Sequence, residues 1–576
     1  MPTTFTIDHT NIEPYQDANL ITDLQFGSIY TTFFGFGRFE DQLSEGISGL
    51  ITWPGGFLAE RYTDRYGMEH EGLYALDNGK PGLSEMLEFA NDNGSGFSLV
   101  IPTFRYEGNE AGFRSDLRDF MGDLLGGTYG VLPETTILQI GSEYYAHFGE
   151  ENAATYGNLA NIAIEEIRAC IEDPMINTTG FHPMIAVQMG RSPDADTDIR
   201  ATIDNGNLAD IDLLITHRFT PTADSVDWSI DRLRSNLDAW EQEMADVGVV
   251  QPDLFFSAYG VQNLTRNDAL SEFIEDRDGS VTAQDIDLAG RTNDDFESFW
   301  QRRLSEIDYG PDHPRAILEM FSEYSQEGVF AGSAFGTDSS HPGRLSIHNA
   351  QGESVQFIPQ DMLDMLQEAT VGTVPVDIGY DNEAEDPVWG YAFENDDYLV
   401  VFMAHKDTPD DTAMIELSAN HPYIAVYADQ MTGAVPDDWM EQFGVIDNPT
   451  VDETPESETF TVGVRAGKEV LVEGTRISFD ITDPNAVVRI AFAKTQDGID
   501  EIESWENQGP GQDITSVDDA HENPDDLPNP GEDDTTGPQI PTTDDSNDDS
   551  GGFDFAGMLI PLVGILALLG ALGAAG

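Results

Sequence analysis

Between residues 20 and 340 one pattern repeats: a short apolar strand, a polar loop, then an amphipathic helix. Eight strands can be read, at 28–36 (SIYTTFFGF), 49–53 (GLITW), 97–102 (FSLVIP), 137–140 (ILQI), 184–188 (MIAVQ), 212–216 (DLLIT), 253–257 (DLFFS) and 329–334 (VFAGSA). Runs that are apolar nearly throughout indicate strands covered on both faces, and such strands are parallel. The segments between them, such as 158–171, 230–244 and 294–307, carry apolar residues at three- and four-residue spacing and are expected to be helices. Eight parallel strands with crossover helices close most simply into a (β/α)8 barrel of the α/β class. An open doubly wound sheet is the alternative, but no glycine-rich phosphate loop follows any strand.

After residue 380 the period changes to two. Segments at 388–393, 398–404, 423–428, 460–464, 469–473 and 487–492 are short and alternating, with Asp, Gly, Asn and Pro between them. This predicts an antiparallel β-sandwich, joined by an opening strand at 4–7. The expected order is a barrel over 20–348, a sandwich formed by 1–19 and 349–495, an acidic linker over 496–555 and an apolar tail over 556–576. The linker is too rich in Asp, Glu, Pro, Ser and Thr to bury a core. The tail, AGMLIPLVGILALLGALGAAG, has no charge and is about long enough to cross a ~30 Å hydrocarbon layer as a helix, which predicts a transmembrane helix and membrane attachment. No Lys or Arg flanks it to set an orientation, so a C-terminal export signal is the other reading. The N-terminal MPTTFTIDHTNIEPY has neither a basic region nor an apolar run, so no cleavable signal peptide is expected.

Charge narrows the partners. Lys and Arg total 26 against 107 Asp and Glu, a net charge of −81. A field of that sign repels phosphate backbones, so nucleic acid is not expected as a partner. Cys170 is the only cysteine, so no intrachain disulfide forms.

The strongest local signal is ILQIGSEYY, residues 137–145. It carries one carboxylate, Glu143, out of a buried strand through a glycine turn. In an α/β barrel the chemistry sits at the carboxyl ends of the strands, so Glu143 is the first candidate for a working residue. Trp53, Arg105, Tyr106, Tyr144, Gln188, His217, Arg218 and Tyr259 also fall at predicted strand ends and should converge on the same cleft. Aromatic rings stack on sugar faces, and Gln, His and Arg donate to hydroxyls, as in saccharide clefts. Packing is the plainer alternative for Trp53, and a satisfied barrel histidine for His217.

Taken in order, WPGGFLAE (53–60), IGSEYY (140–145), ITHRF (215–219) and SAYG (257–260), followed by a sandwich, resemble the clan A glycoside hydrolases, particularly their arabinofuranosidase-like and xylosidase-like branches. The resemblance spans roughly residues 1–495. It implies a TIM barrel with a sandwich, a glycan substrate and Glu143 as general acid/base, whose pKa must then lie above that of a free glutamate.

Two positions depart from the family pattern. Ser142 stands where the family usually has Asn, and Ala258 stands on the seventh strand where the nucleophilic glutamate belongs. Retaining hydrolysis needs two carboxyl groups about 5 Å apart, and a methyl group cannot attack an anomeric carbon. A rival seventh strand at 316–325, with Glu319 and Glu323, has helical spacing and lies too close to the strand at 329 for a parallel crossover. Glu60 or Asp338 could stand in, and Glu60 could serve an inverting arrangement with carboxyls ~6.5–9.5 Å apart.

Residues 275–287, EDRDGSVTAQDID, resemble a degenerate calcium loop, with Asp276, Asp278 and Asp285 as candidate ligands, Ile274 at the first position and Asp in place of the terminal Glu. An acidic solvated loop is the alternative. No His or Cys group has zinc spacing, no elbow motif holds a nucleophile, and no other cofactor is indicated. Three functions remain open: a cell-surface glycosidase acting on extracellular polysaccharide, a catalytically inactive relative that binds glycan, and a surface structural protein.

Overall fold

The computed structural model describes residues 3–30, 49–55, 59–60, 82–220, 226–261, 266–277, 312–335, 345–348, 354–380, 388–405, 412–434, 462–481, 486–506 and 515–516, with a few further positions between 281 and 299. Eight parallel strands close into a barrel in chain order: Gly27–Ile29, Leu50–Trp53, Gly96–Ile101, Thr136–Ile140, Met184–Gln188, Leu213–Thr220, Asp253–Val261 and Val329–Ala334, the last pairing with the first. Each of the eight expected strands has a counterpart, although residues 31–36 of the first, expected at 28–36, lie outside the described residues. Leu50, Ile137, Ala186, Leu213, Ile215, Phe255 and Ala331 form a buried cluster that fills the interior, so the barrel is a packed core.

Alternate strand residues face the helices outside. Helix Ala153–Glu172 buries Ile164, Ile167 and Ile171 together with Cys170, and helix Val226–Asp246 buries Leu233, Leu237, Trp240 and Met244. Residues 316–325 lie within helix Asp312–Ser325, so the rival seventh strand is helical, as its spacing indicates. Most of the expected helix at 294–307 lies outside the described residues.

Two sheets form the sandwich. One orders the strands Val462–Gly467, Ala425–Ala434, Val487–Ala493, Tyr398–His405, Val388–Glu394, Val374–Asp377 and Glu13–Pro14, with Thr515–Ser516 pairing at its side. The other orders Thr3–Ile7, Ala413–Leu417, Arg476–Phe479 and Leu471–Glu473. Phe5, Ile7, Leu399, Ile415, Ile477 and Val488 pack between them.

Three expectations need correction. The opening strand pairs parallel with Ala413–Leu417, so the sandwich is not wholly antiparallel. Helix Ile358–Thr370, expected within the sandwich segment after 348, packs on helix Asp312–Ser325 and completes the barrel's outer ring. Residues 496–506, which composition assigns to the linker, form a helix because Ile502 and Trp505, three apart, bury against the sheet face at Tyr398. Among the described residues no helix is long and apolar enough to cross a membrane. The tail at 556–576 and the rest of the linker, apart from 515–516, lie outside them.

Candidate active site

Strand Thr136–Ile140 ends at Gly141, whose φ is +67° and where a Cβ would lie 2.8 Å from Thr103 Oγ1. Only glycine fits that turn. Two residues on, Glu143 has φ 46°, the one positive φ at a non-glycine position among the described residues. This left-handed geometry costs a glutamate about 1–2 kcal/mol, strain of the kind found at functional sites. Its side chain is 26% exposed, against 8% for His217 beside it, so a ligand can reach the carboxylate.

Tyr145 donates its hydroxyl to Glu143 Oε1 at 3.2 Å, and His217 Nδ1 lies 3.4 Å from the same oxygen. The other face of the imidazole is held by Ser257, whose Oγ lies 2.6 Å from Nε2. Ser257 occupies this place because the pairing of the sixth and seventh strands steps from Thr216 with Phe256 to His217 with Ala258, leaving Ser257 as the extra residue of a bulge. Serine, imidazole and carboxylate therefore form a line across three strands. At 2% exposure the Ser257 hydroxyl faces no ligand, and its role is to orient the ring.

Burial pushes the Glu143 carboxyl up, but His217, His147 and Tyr145 outweigh it and hold the group below the ordinary glutamate value. A residue ionised this readily is a poor proton donor, contrary to the raised pKa that the acid/base role demands. Opposite it, Ala258 lies on the seventh strand in register with His217.

Glu60 is enclosed by the loops that follow the third and fourth strands. It is 1% exposed, and its oxygens accept hydrogen bonds from Thr103 N (2.9 Å), Phe104 N (2.7 Å), Thr103 Oγ1 (3.1 Å) and Ser142 N (3.0 Å). Burial raises its pKa to about 7 despite those bonds. Glu60 thus ties the ends of the third and fourth strands together, with one bond to Ser142, the residue before Glu143. Asp338 lies outside the described residues.

The other strand-end candidates divide. His217 meets Glu143, and Arg218 rises beside it on the alternate face of the sixth strand. Tyr144 is 1% exposed, stacks on Tyr156 at 5.3 Å and accepts from Arg191 N at 2.7 Å, so it supports the loop and its neighbour Tyr145 faces the carboxylate. Gln188 is buried, donating to Ile140 O and accepting from Tyr144 N. Tyr106 turns away to Asp116 (2.9 Å), with Arg105 over its ring. Tyr259 is buried and donates to Gln25 O, and Trp53 is buried in the main core. The sequence offered little to distinguish these from cleft residues, because every strand end carries both inward and outward positions. Tyr145 and Ser257 lie within IGSEYY and SAYG, but nothing in those motifs marks one as a donor to the carboxylate or the other as a partner of the imidazole.

Asp278 and Asp285 of the calcium candidate lie outside the described residues, and Asp276 closes helix Arg266–Asp276. Among the described residues no group of three His, Cys, Asp or Glu side chains is placed to hold a metal ion.

No protein-family model matches this chain, and no curated protein matches it. Solved structures do. A family 51 α-L-arabinofuranosidase from Bifidobacterium longum superposes with a TM-score of 0.54 at 11% identity, covering 85% of this chain and 100% of that one. A monomeric β-xylosidase from Caulobacter crescentus gives 0.48 at 11% identity over 85% and 99%. At such identity the likeness concerns the fold: the chain has the clan A glycoside hydrolase-like architecture, a closed eight-stranded parallel barrel carrying a β-sandwich.

Proposed function

We propose that this protein binds glycans in the cleft at the carboxyl ends of its barrel strands, and that Glu143 accepts hydrogen bonds from sugar hydroxyls without running a retaining hydrolysis. One observation carries this reading: a partly exposed, readily ionised carboxylate at the fourth strand faces a seventh strand that supplies Ala258. Double displacement needs a second carboxyl about 5 Å away, and the nearest alternative from the sequence, Glu60, is fully engaged by backbone donors. The glycoside hydrolase-like architecture supports a carbohydrate ligand. Attachment at a cell surface through the apolar tail belongs to the same proposal and rests on composition alone.

The test is a panel of aryl glycosides and a panel of immobilised oligosaccharides, each presented to wild type and Glu143→Gln. Wild type should retain one or more glycans without turnover. Glu143→Gln should weaken that retention roughly tenfold, the cost of losing a hydrogen bond to a charged acceptor. Turnover by wild type that vanishes in Glu143→Gln would overturn the proposal in favour of a glycosidase.

A further inference from the structure

Cations are scarce in this chain, and most of the arginines among the described residues are spent on carboxylates. Arg114, Arg200, Arg234, Arg465 and Arg489 each make an ion pair. Three others, all on the barrel face that carries Glu143, make none among the described residues: Arg191 after the fifth strand, Arg218 at the end of the sixth, and Arg232 in the first turns of the helix that follows it. They are close enough to repel one another. Burial first, and then the charges of Arg232 and Arg191, depress the Arg218 guanidinium, while burial and Arg191 depress that of Arg232.

In a protein of net charge −81, carboxylates to relieve such a cluster are abundant. Glu150 is felt by Arg232 but makes no ion pair with it among the described residues. The Nε atoms of Arg218 and Arg232 are buried without a hydrogen-bond acceptor there, and Arg218 Nη1 reaches only the carbonyl of His217, at 3.4 Å. Unpaired buried donors on cations are costly unless something else supplies the acceptor.

Two aromatic rings complete the arrangement. Arg191 lies 5.1 Å over the ring of Tyr145, whose hydroxyl donates to Glu143, so the cluster is one side chain away from the carboxylate. Arg232 lies 5.6 Å over Trp228, which is 65% exposed at the mouth of the barrel. An exposed indole beside guanidinium groups offers a stacking face for a pyranose ring and forked donors for an anionic substituent.

We infer that Arg191, Arg218 and Arg232 form an anion subsite beside Glu143, with Trp228 as its platform, and that the glycan recognised there bears a carboxylate or sulfate group. This rests on the reading of the cleft as a glycan site and names the class of glycan. Guanidinium forks match both oxyanions, so the experiment separates them.

The intact protein is applied at 0.15 M NaCl to immobilised neutral arabinan and xylan oligomers, to galacturonate, glucuronate and mannuronate oligomers with their methyl esters, and to sulfated galactan oligomers. Esterification keeps the sugar and removes the charge, so this readout needs no variant. Retention of a uronate oligomer that falls roughly ten- to hundredfold on esterification identifies a carboxylate ligand. Retention confined to the sulfated oligomers identifies a sulfate ligand. In either case Arg218→Met and Arg191→Gln should each lose most of the preference for the charged form. Retention of neutral glycans alone, equal retention of acid and ester, or a preference unchanged in both variants would overturn the inference and leave the glycan cleft standing. Retention of no glycan would overturn both.

Discussion

Glu143 concentrates the local cost of this site. Its left-handed backbone is held from both sides, by the Gly141 turn before it and by the short helix Tyr144–His147 after it, with Ser142 N fastened to Glu60. Glycine adopts that conformation without penalty, so Glu143→Gly should hold or raise stability by up to about 1 kcal/mol, the relieved strain partly offset by a more flexible unfolded chain. Glycan retention should be lost at the same time. Denaturant unfolding read beside the glycan panel checks both halves. A loss of more than about 1 kcal/mol would mean that the carboxylate's bonds to Tyr145 and His217 outweigh the strain. The sequence displayed Glu143 plainly, because a lone acid after an apolar strand and a glycine is conspicuous. Its lowered pKa was hidden, since that depends on His217, 74 residues away, being turned toward it by Ser257.

At the scale of elements, the eight barrel strands were legible because doubly covered parallel strands are written as unbroken apolar runs. What joins the strand ends was not. Glu60 shows why: the same carboxylate can be read as a stand-in acid or as a brace, and only the convergence of Thr103, Phe104 and Ser142 on it decides for a brace. A glutamine can present one oxygen, so Glu60→Gln leaves one pair of donors facing an amide NH2, at a cost of roughly 1–3 kcal/mol for each unsatisfied group. The pH dependence has a definite sign. A carboxyl raised to about 7 in the folded state, against an ordinary 4.5, keeps its proton on folding between those values. The unfolded chain binds fewer protons there, so this group's contribution to stability falls as pH rises from about 4.5 to 7 and is constant outside that window. The shift corresponds to roughly 3 kcal/mol. Urea unfolding across pH 4–8 should therefore show the gap between wild type and Glu60→Gln narrowing as pH rises. A gap that widens instead would mean that the four donated bonds keep Glu60 ionised throughout.

At the scale of the whole molecule, barrel and sandwich share one core, in which Phe321 and Leu363 of the outer helices lie with Tyr391, Phe393 and Phe402 of the large sheet. One ionic knot crosses the same boundary. Arg489, fully buried on the central strand Val487–Ala493, grips Asp429 with two bonds (Nε to Oδ1 at 2.9 Å and Nη2 to Oδ2 at 2.7 Å) and donates Nη1 to Glu368 on the last barrel helix at 3.0 Å. Its guanidinium also lies 4.7 Å over the ring of Trp505, which is how the helix Gln496–Glu506 is held to the sheet. Burial alone would depress this arginine, but Asp429 and Glu368 hold its pKa far above the ordinary value. Arg489→Met would leave Asp429 buried with only Arg465, 3.4 Å away, to neutralise it. The expected loss is roughly 3–5 kcal/mol, as for one partner removed from a buried pair. Replacing Asp429 by Leu in the same molecule removes the stranded charge while Glu368 keeps Arg465, and should recover much of that loss. Calorimetry distinguishes the consequences: one unfolding transition in wild type should separate into two in Arg489→Met, because the sandwich then loses one of its two charged links to Glu368, keeping only that from Arg465, while its own inner core is unchanged. A variant that still melts in one transition, within about 1 kcal/mol of wild type, would assign the joining of the two parts to the shared apolar core alone.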